Sequence, residues 1–260
     1  APGPGRLSPQ GARAAVVYTL PGACAFAGWA GWLMSALKGR SVSCVRMVLT
    51  WLLLLFGLGA AAPLRAEWLV AETRHFRLHG QMEAAALVDR AALLEDFHGL
   101  LERATARRLP LDAPPLDVFL VSRIADMEPG QPLPPELLLH EYAHHFMLGA
   151  GRFAYPAWYV EGFAEYFATA GFAADSVRVG QASAARRLAL DSGRWLPMAQ
   201  LLAREPVLDG PADTAMFYAQ SWLLTHYLFR TPGLRDSFAR YLKAQASGTD
   251  PVAAFRAHVD

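Results

Sequence analysis

The segment HEYAHHF, residues 140–146, and the segment PAWYVEGFAEYF, residues 156–167, carry the reading of this chain. His140 and His144 are four residues apart, so on a helix both imidazoles leave the same face and can share one metal ion. Glu141 lies about 100° around the same axis, close enough to reach a water on that metal without ligating it. In this HExxH arrangement two imidazoles hold zinc and the carboxylate takes a proton from the zinc-bound water. His145 falls off the His140/His144 face and reads as a structural or solvent-facing residue.

Catalytic zinc takes three protein ligands and keeps one position open. One class of HExxH proteins draws its third ligand from HExxHxxGxxH. Here Met147 and Ala150 stand at the Gly and His positions, which excludes that class. The other class uses a glutamate on a following helix. Sixteen residues separate His144 from Glu161, and a tight turn over residues 149–156 would lay a second helix antiparallel to the first and bring Glu161 to the metal. Glu165, one turn further on the same face, is placed to hydrogen-bond a liganding histidine. Two acids on a helix otherwise rich in Phe163, Ala164, Phe167 and Ala168 are costly to bury without a cation.

Around these segments the pattern divides in two. Residues 68–79 open as a strand, with Phe76 and Leu78 alternating against polar neighbours up to Gly80. Residues 82–108 predict a long amphipathic helix with Leu87, Ala91, Leu94, Phe97 and Leu101 on one face, and residues 116–121 a short apolar strand. Together they make an N-terminal α/β layer. A Pro-rich connection leads to a helix over 136–148, started by Pro134 and Pro135 and stopped by Gly149 and Gly151. A second helix over 157–170 ends at Gly171, and helices follow over 182–191, 197–204, 214–230 and 234–246. Asp250-Pro251 has the form of a cap and first turn of one more helix, which the end of the chain at Asp260 cuts short.

Six of the 24 basic residues and none of the 23 acidic ones precede residue 67, so the remainder carries 18 basic against 23 acidic. A mildly acidic body excludes a nucleic-acid partner, which needs a basic face. From Met47 a basic flank, an apolar run of roughly 12–15 residues and then small residues form a secretory signal over 47–66, with cleavage after Ala62 or Ala66. On this reading residues 1–46 are an upstream extension, the protein is exported to the periplasm or secreted, and 67–260 is a single domain. That domain divides into an α/β part, 67–134, and a helical part, 135–260. The rival reading, a membrane anchor over 14–37, is weakened by Pro21, Gly22, Gly28 and Gly31. Cys24 and Cys44 both precede the exported body, which therefore uses neither disulfides nor thiolate ligands.

HEYAHHF followed by PAWYVEGFAEYF resembles the gluzincin metallopeptidases, in particular the peptidase MA-like bacterial proteins. The resemblance is concentrated in residues 136–170, with WLVAETRHFRLHG and FYAQSWLLTHYL adding to it. It implies an α+β, zincin-like fold in which a small sheet packs on the metal helix and the C-terminal part is mainly helical. It implies a Zn2+ cofactor on His140, His144 and Glu161, a general base at Glu141, a supporting role for Glu165, and a peptide or protein substrate. Tyr218 and His226, on the later helix, are candidates to stabilise the developing oxyanion. Two features depart from the family. Only eighteen residues lie between Val121 and His140, where relatives have room for another strand, and the GxMEN signature of the large aminopeptidases is missing. The alternative is a non-catalytic zinc-binding interaction module derived from a peptidase. His75, His79, His98 and His258 read as ordinary surface or core histidines, and Trp68, Trp158, Trp195 and Trp222 as packing.

Overall fold

The computed structural model describes residues 16–19, 68–108, 113–121, 134–149 and 155–259. Strands β1 (Val16–Thr19), β2 (Leu69–Glu72), β3 (Phe76–Gly80) and β4 (Leu116–Leu120) form one sheet in that order. The β1/β2 and β2/β3 pairs are antiparallel and β3/β4 is parallel. A parallel neighbour requires a crossover, and helix α1 (Ala84–Thr105) supplies it. Its buried apolar residues are Leu87, Ala91, Leu94, Phe97 and Leu101, the set expected from the periodicity, and His98 is buried with them. Ala106, in the left-handed conformation at φ 55°, ends it. The 68–79 stretch is not one strand but a hairpin, because Thr73 N donates to Phe76 O at 2.8 Å and turns the chain. Glu95 of α1 holds that turn, accepting from His75 N at 2.8 Å and pairing with His75 Nδ1 at 2.7 Å.

The rest of the chain is mainly helical. Helix α2 (Pro135–Leu148) begins on Pro134 as N-cap and ends at Gly149, and α3 (Ala157–Ala168) follows. A two-stranded hairpin, β5 (Gly171–Phe172) and β6 (Val177–Arg178), comes next, then α4 (Ala184–Asp191) and α5 (Met198–Leu201). Helices α6 (Gly210–Arg230), α7 (Leu234–Ala246) and α8 (Pro251–His258) complete the chain. Asp250 caps α8 as its sequence indicates, accepting from Ala253 N at 2.9 Å. The β5/β6 hairpin is absent from the periodicity because two-residue strands carry none, and Gly171 belongs to β5 rather than stopping α3.

Helix α3 packs against α2 on one side and α6 on the other, which explains its apolar composition. Gly162 permits the second contact: a Cβ there would overlap Thr225 Oγ1 and the Ser221 carbonyl oxygen of α6. Helix α1 ties the sheet to α2. His98 Nδ1 lies 2.7 Å from the Tyr142 hydroxyl, and the Phe76 and Tyr142 rings meet edge to face at 4.9 Å. Trp158 is fully buried and donates to the Tyr241 hydroxyl at 3.0 Å, joining α3 to α7. The chain is therefore a mixed α+β protein in which the small sheet, α1 and the helical part share one core.

Residues 47–66, the expected signal, and the connection over 122–133 lie outside the described residues. Of residues 14–37 only Val16–Thr19 are described, and they pair as the edge strand on β2. Among the described residues no helix is long and apolar enough to cross a membrane.

Candidate metal centre

Helix α2 presents His140 and His144 from one face, and α3 runs alongside so that Glu161 meets them. His140 Nε2 and His144 Nε2 are 3.0 Å apart, and Glu161 Oε2 is 3.4 Å from the first and 3.3 Å from the second. Four ligands around zinc at about 2.0–2.1 Å stand about 3.4 Å apart along a tetrahedral edge. The three atoms thus form a triangle of the size that one face of such a tetrahedron needs. Glu161 Oε2 is buried and accepts no hydrogen bond among the described residues. Three Lewis-basic atoms directed at one point, one of them an orphaned carboxylate oxygen, fit a divalent cation. His140, His144 and Glu161 are thereby the residues that can hold it.

The electrostatics agree. Burial works against a charged His140, but its contacts with the Glu161 and Glu165 carboxylates and their negative charges outweigh it and push its pKa up to about 9. Burial likewise opposes ionisation of Glu161, and the two histidines overcome it, holding its carboxyl down to about 2. The cluster favours positive charge although it is largely withdrawn from water.

Glu165 sits where the sequence indicates. Its Oε1 lies 3.3 Å from His140 Nδ1, so with Nδ1–H donating, Nε2 is left free to face Glu161 and His144. His144 Nδ1, in contrast, is buried with no hydrogen-bond partner among the described residues. Sequence reasoning missed Arg186. From the first turn of α4 it forks onto Glu165, with Nε at 2.8 Å from Oε2 and an Nη at 2.6 Å from Oε1. Ser183 caps that turn by accepting from Arg186 N at 3.3 Å, which fixes where the side chain departs. No local signal distinguishes Arg186 from Arg187 beside it, since α4 buries no residue completely.

Tyr218 of α6 joins the cluster, its ring centroid 6.3 Å from that of His140. The Arg186 guanidinium lies over the same ring at 4.8 Å. Burial raises the Tyr218 pKa, and the Glu161, Glu165 and Glu141 carboxylates add to the rise against the opposing Arg186, so the hydroxyl keeps its proton and can donate. His226 is placed elsewhere. Its Nδ1 lies 3.1 Å from the Gly180 carbonyl oxygen and its ring packs against Trp222 and Tyr166. Glu141 and His145 are both exposed on α2, and His145 stacks on Tyr142 rather than joining the metal face. His75, His79 and His98 have partners of their own in Glu95, Asp117 and Tyr142.

A cavity of about 800 Å³ opens on the opposite side of α3, lined by Phe146, Tyr155, Tyr159, Phe163, Phe229 and Phe238 among others. None of the three metal-directed residues lines it. Arg107, Arg230 and Arg235 also line it, but among the described residues no histidine or carboxylate does.

Residues 137–253 match the model of a family described as a protein of unknown function, DUF1570. The matched stretch includes the two histidines, Glu141, Glu161, Glu165, Arg186 and Tyr218. No curated protein and no solved structure matches the chain.

Proposed function

We propose that this chain is a zinc metallopeptidase of the gluzincin kind, exported and hydrolysing peptide bonds. The observation that carries the reading is the triangle of His140 Nε2, His144 Nε2 and Glu161 Oε2, 3.0–3.4 Å on its edges, with Glu141 next to His140 on the same helix. Two imidazoles and one carboxylate, one of the imidazoles oriented by a second carboxylate, are the donor set of catalytic rather than structural zinc. The small sheet joined through α1 to the metal helix, with helices following, supports a zincin-like architecture.

Zinc bound at these residues supplies Lewis acidity, lowering the pKa of a water and polarising the scissile carbonyl. His140, His144 and Glu161 hold the ion, and Glu165 keeps His140 turned toward it. Glu141 is exposed and so can meet both water and substrate. It accepts a proton as the water oxygen bonds to the carbonyl carbon, then passes that proton to the amine nitrogen as the C–N bond breaks. The Tyr218 hydroxyl, protonated and carried on a ring that lies beside that of His140, donates to the developing oxyanion.

The deciding experiment compares wild type with Glu141→Gln for metal content and for cleavage of a denatured protein. Full metal occupancy with cleavage reduced about 10²–10⁴-fold in the variant is the expected outcome. Equal cleavage by both proteins ends this mechanism. The short connection between Val121 and His140 favours one second reading, a metal-binding interaction module without turnover. It predicts bound metal in both proteins and cleavage in neither.

A further inference from the structure

The two histidines of the cluster are supported unequally. His140 Nδ1 lies 3.3 Å from Glu165 Oε1, whereas His144 Nδ1 has no partner among the described residues. Among the described residues the outer support of the cluster therefore rests on Glu165. Its side chain is only 9% exposed, and a carboxylate in such a place is held in one orientation only if its remaining lone pairs are engaged.

Arg186 engages them. Its Nε and one Nη contact different oxygens of Glu165, a two-point grip that fixes both the position and the plane of the carboxylate. The Arg186 Cζ also lies over the Tyr218 ring, 4.8 Å from its centroid. The contacts form a relay from the Tyr218 ring through Arg186 and Glu165 to His140 Nδ1. Lysine could replace the charge but neither the fork nor the stack.

We propose that Arg186 is a positioning residue of the metal centre: it locks Glu165 in the orientation that aims His140 at the ion, and the ring of Tyr218 holds Arg186 in place. Tyr218 then has two separable parts, a hydroxyl directed to substrate and a ring that supports metal binding. This inference rests on the metal centre proposed above but not on peptide hydrolysis.

The test measures Zn2+ affinity of the full chain by competition with a chromogenic chelator. Wild type is compared with Arg186→Met, Arg186→Lys, Tyr218→Phe and Tyr218→Leu, with circular dichroism confirming each fold. Arg186→Met is expected to weaken binding roughly 10–100-fold, the range for removing an outer-shell partner. Arg186→Lys should remain weakened. Tyr218→Phe, which keeps the ring, should stay within about twofold of wild type, while Tyr218→Leu should bind several-fold more weakly.

Should Arg186→Met fail to fold, Arg186→Lys and the two Tyr218 variants decide the matter. Wild-type affinity in either Arg186 variant, or equal affinities in the two Tyr218 variants, overturns the proposal. A chain that shows this affinity pattern yet cleaves no peptide sinks the peptidase reading and leaves the role of Arg186 standing. Peptide cleavage with unchanged affinities does the reverse, and a wild type that takes up no zinc removes both.

Discussion

Glu161 Oε2 lies 3.3 Å from His144 Nε2 although sixteen residues separate them in the chain. The packing of α3 against α2 closes that distance, and its contact with α6 maintains it. The meeting of these two atoms turns a pair of histidines into a three-residue cluster that can hold a metal ion, so the first test falls on it.

Purified wild type should contain close to one zinc per chain, and Glu161→Ala should lose it or bind far more weakly. Elemental analysis after dialysis against a weak chelator reads the difference. Equal zinc in both proteins would show that Glu161 is not a ligand. No zinc in the wild type after reconstitution would show that the cluster does not function as a metal site.

Tyr218→Phe should lower kcat by roughly 10²–10³-fold with little change in KM, because an oxyanion donor acts mainly in the transition state. Steady-state kinetics on a cleaved peptide measure both. His226→Ala, which removes a ring packed on Tyr166 and Trp222, should act on stability first. A larger kcat loss in a folded His226 variant would reverse the assignment.

Gly162→Ala should destabilise the fold by about 1–3 kcal/mol. The added methyl meets the Ser221 carbonyl oxygen and Thr225 Oγ1, and the first of these belongs to a helix backbone that cannot step aside. Urea unfolding gives the loss. Since Glu161 adjoins Gly162, zinc affinity should fall as well. An unchanged midpoint would mean that α3 and α6 pack less closely than described.

The turn between β2 and β3 should make stability depend on pH. Burial opposes ionisation of Glu95, but hydrogen bonds from the His75 side chain and backbone outweigh it, and its folded pKa lies below the ordinary 4.5. A depressed carboxyl stabilises the fold above its unfolded pKa, and the contribution disappears as pH falls through the folded value. Glu95→Gln should therefore be less stable than wild type by about 1 kcal/mol at pH 7. That gap should narrow once pH drops below about 4.5. A gap constant from pH 7 to pH 3 would deny the ion pair its role.

Residue identity and spacing alone placed His140, His144 and Glu141 on one helix, and buried acids at i, i+4 on an apolar helix singled out Glu161 and Glu165. They also predicted α1 with its buried face, the proline-started α2 and the Asp250 cap, because each rests on contacts within a few residues. The separation of Tyr218 from His226 was beyond such reasoning. Both lie on α6 two turns apart, and whether a side chain faces His140 or the Gly180 carbonyl depends on how α6 rotates against α3. Arg186 was hidden for the same reason. It is one of two adjacent arginines on a short exposed helix, and its partner Glu165 is twenty-one residues away. Local periodicity records which face of an element is apolar, whereas long-range pairing depends on the relative placement of whole helices, which no window of sequence encodes.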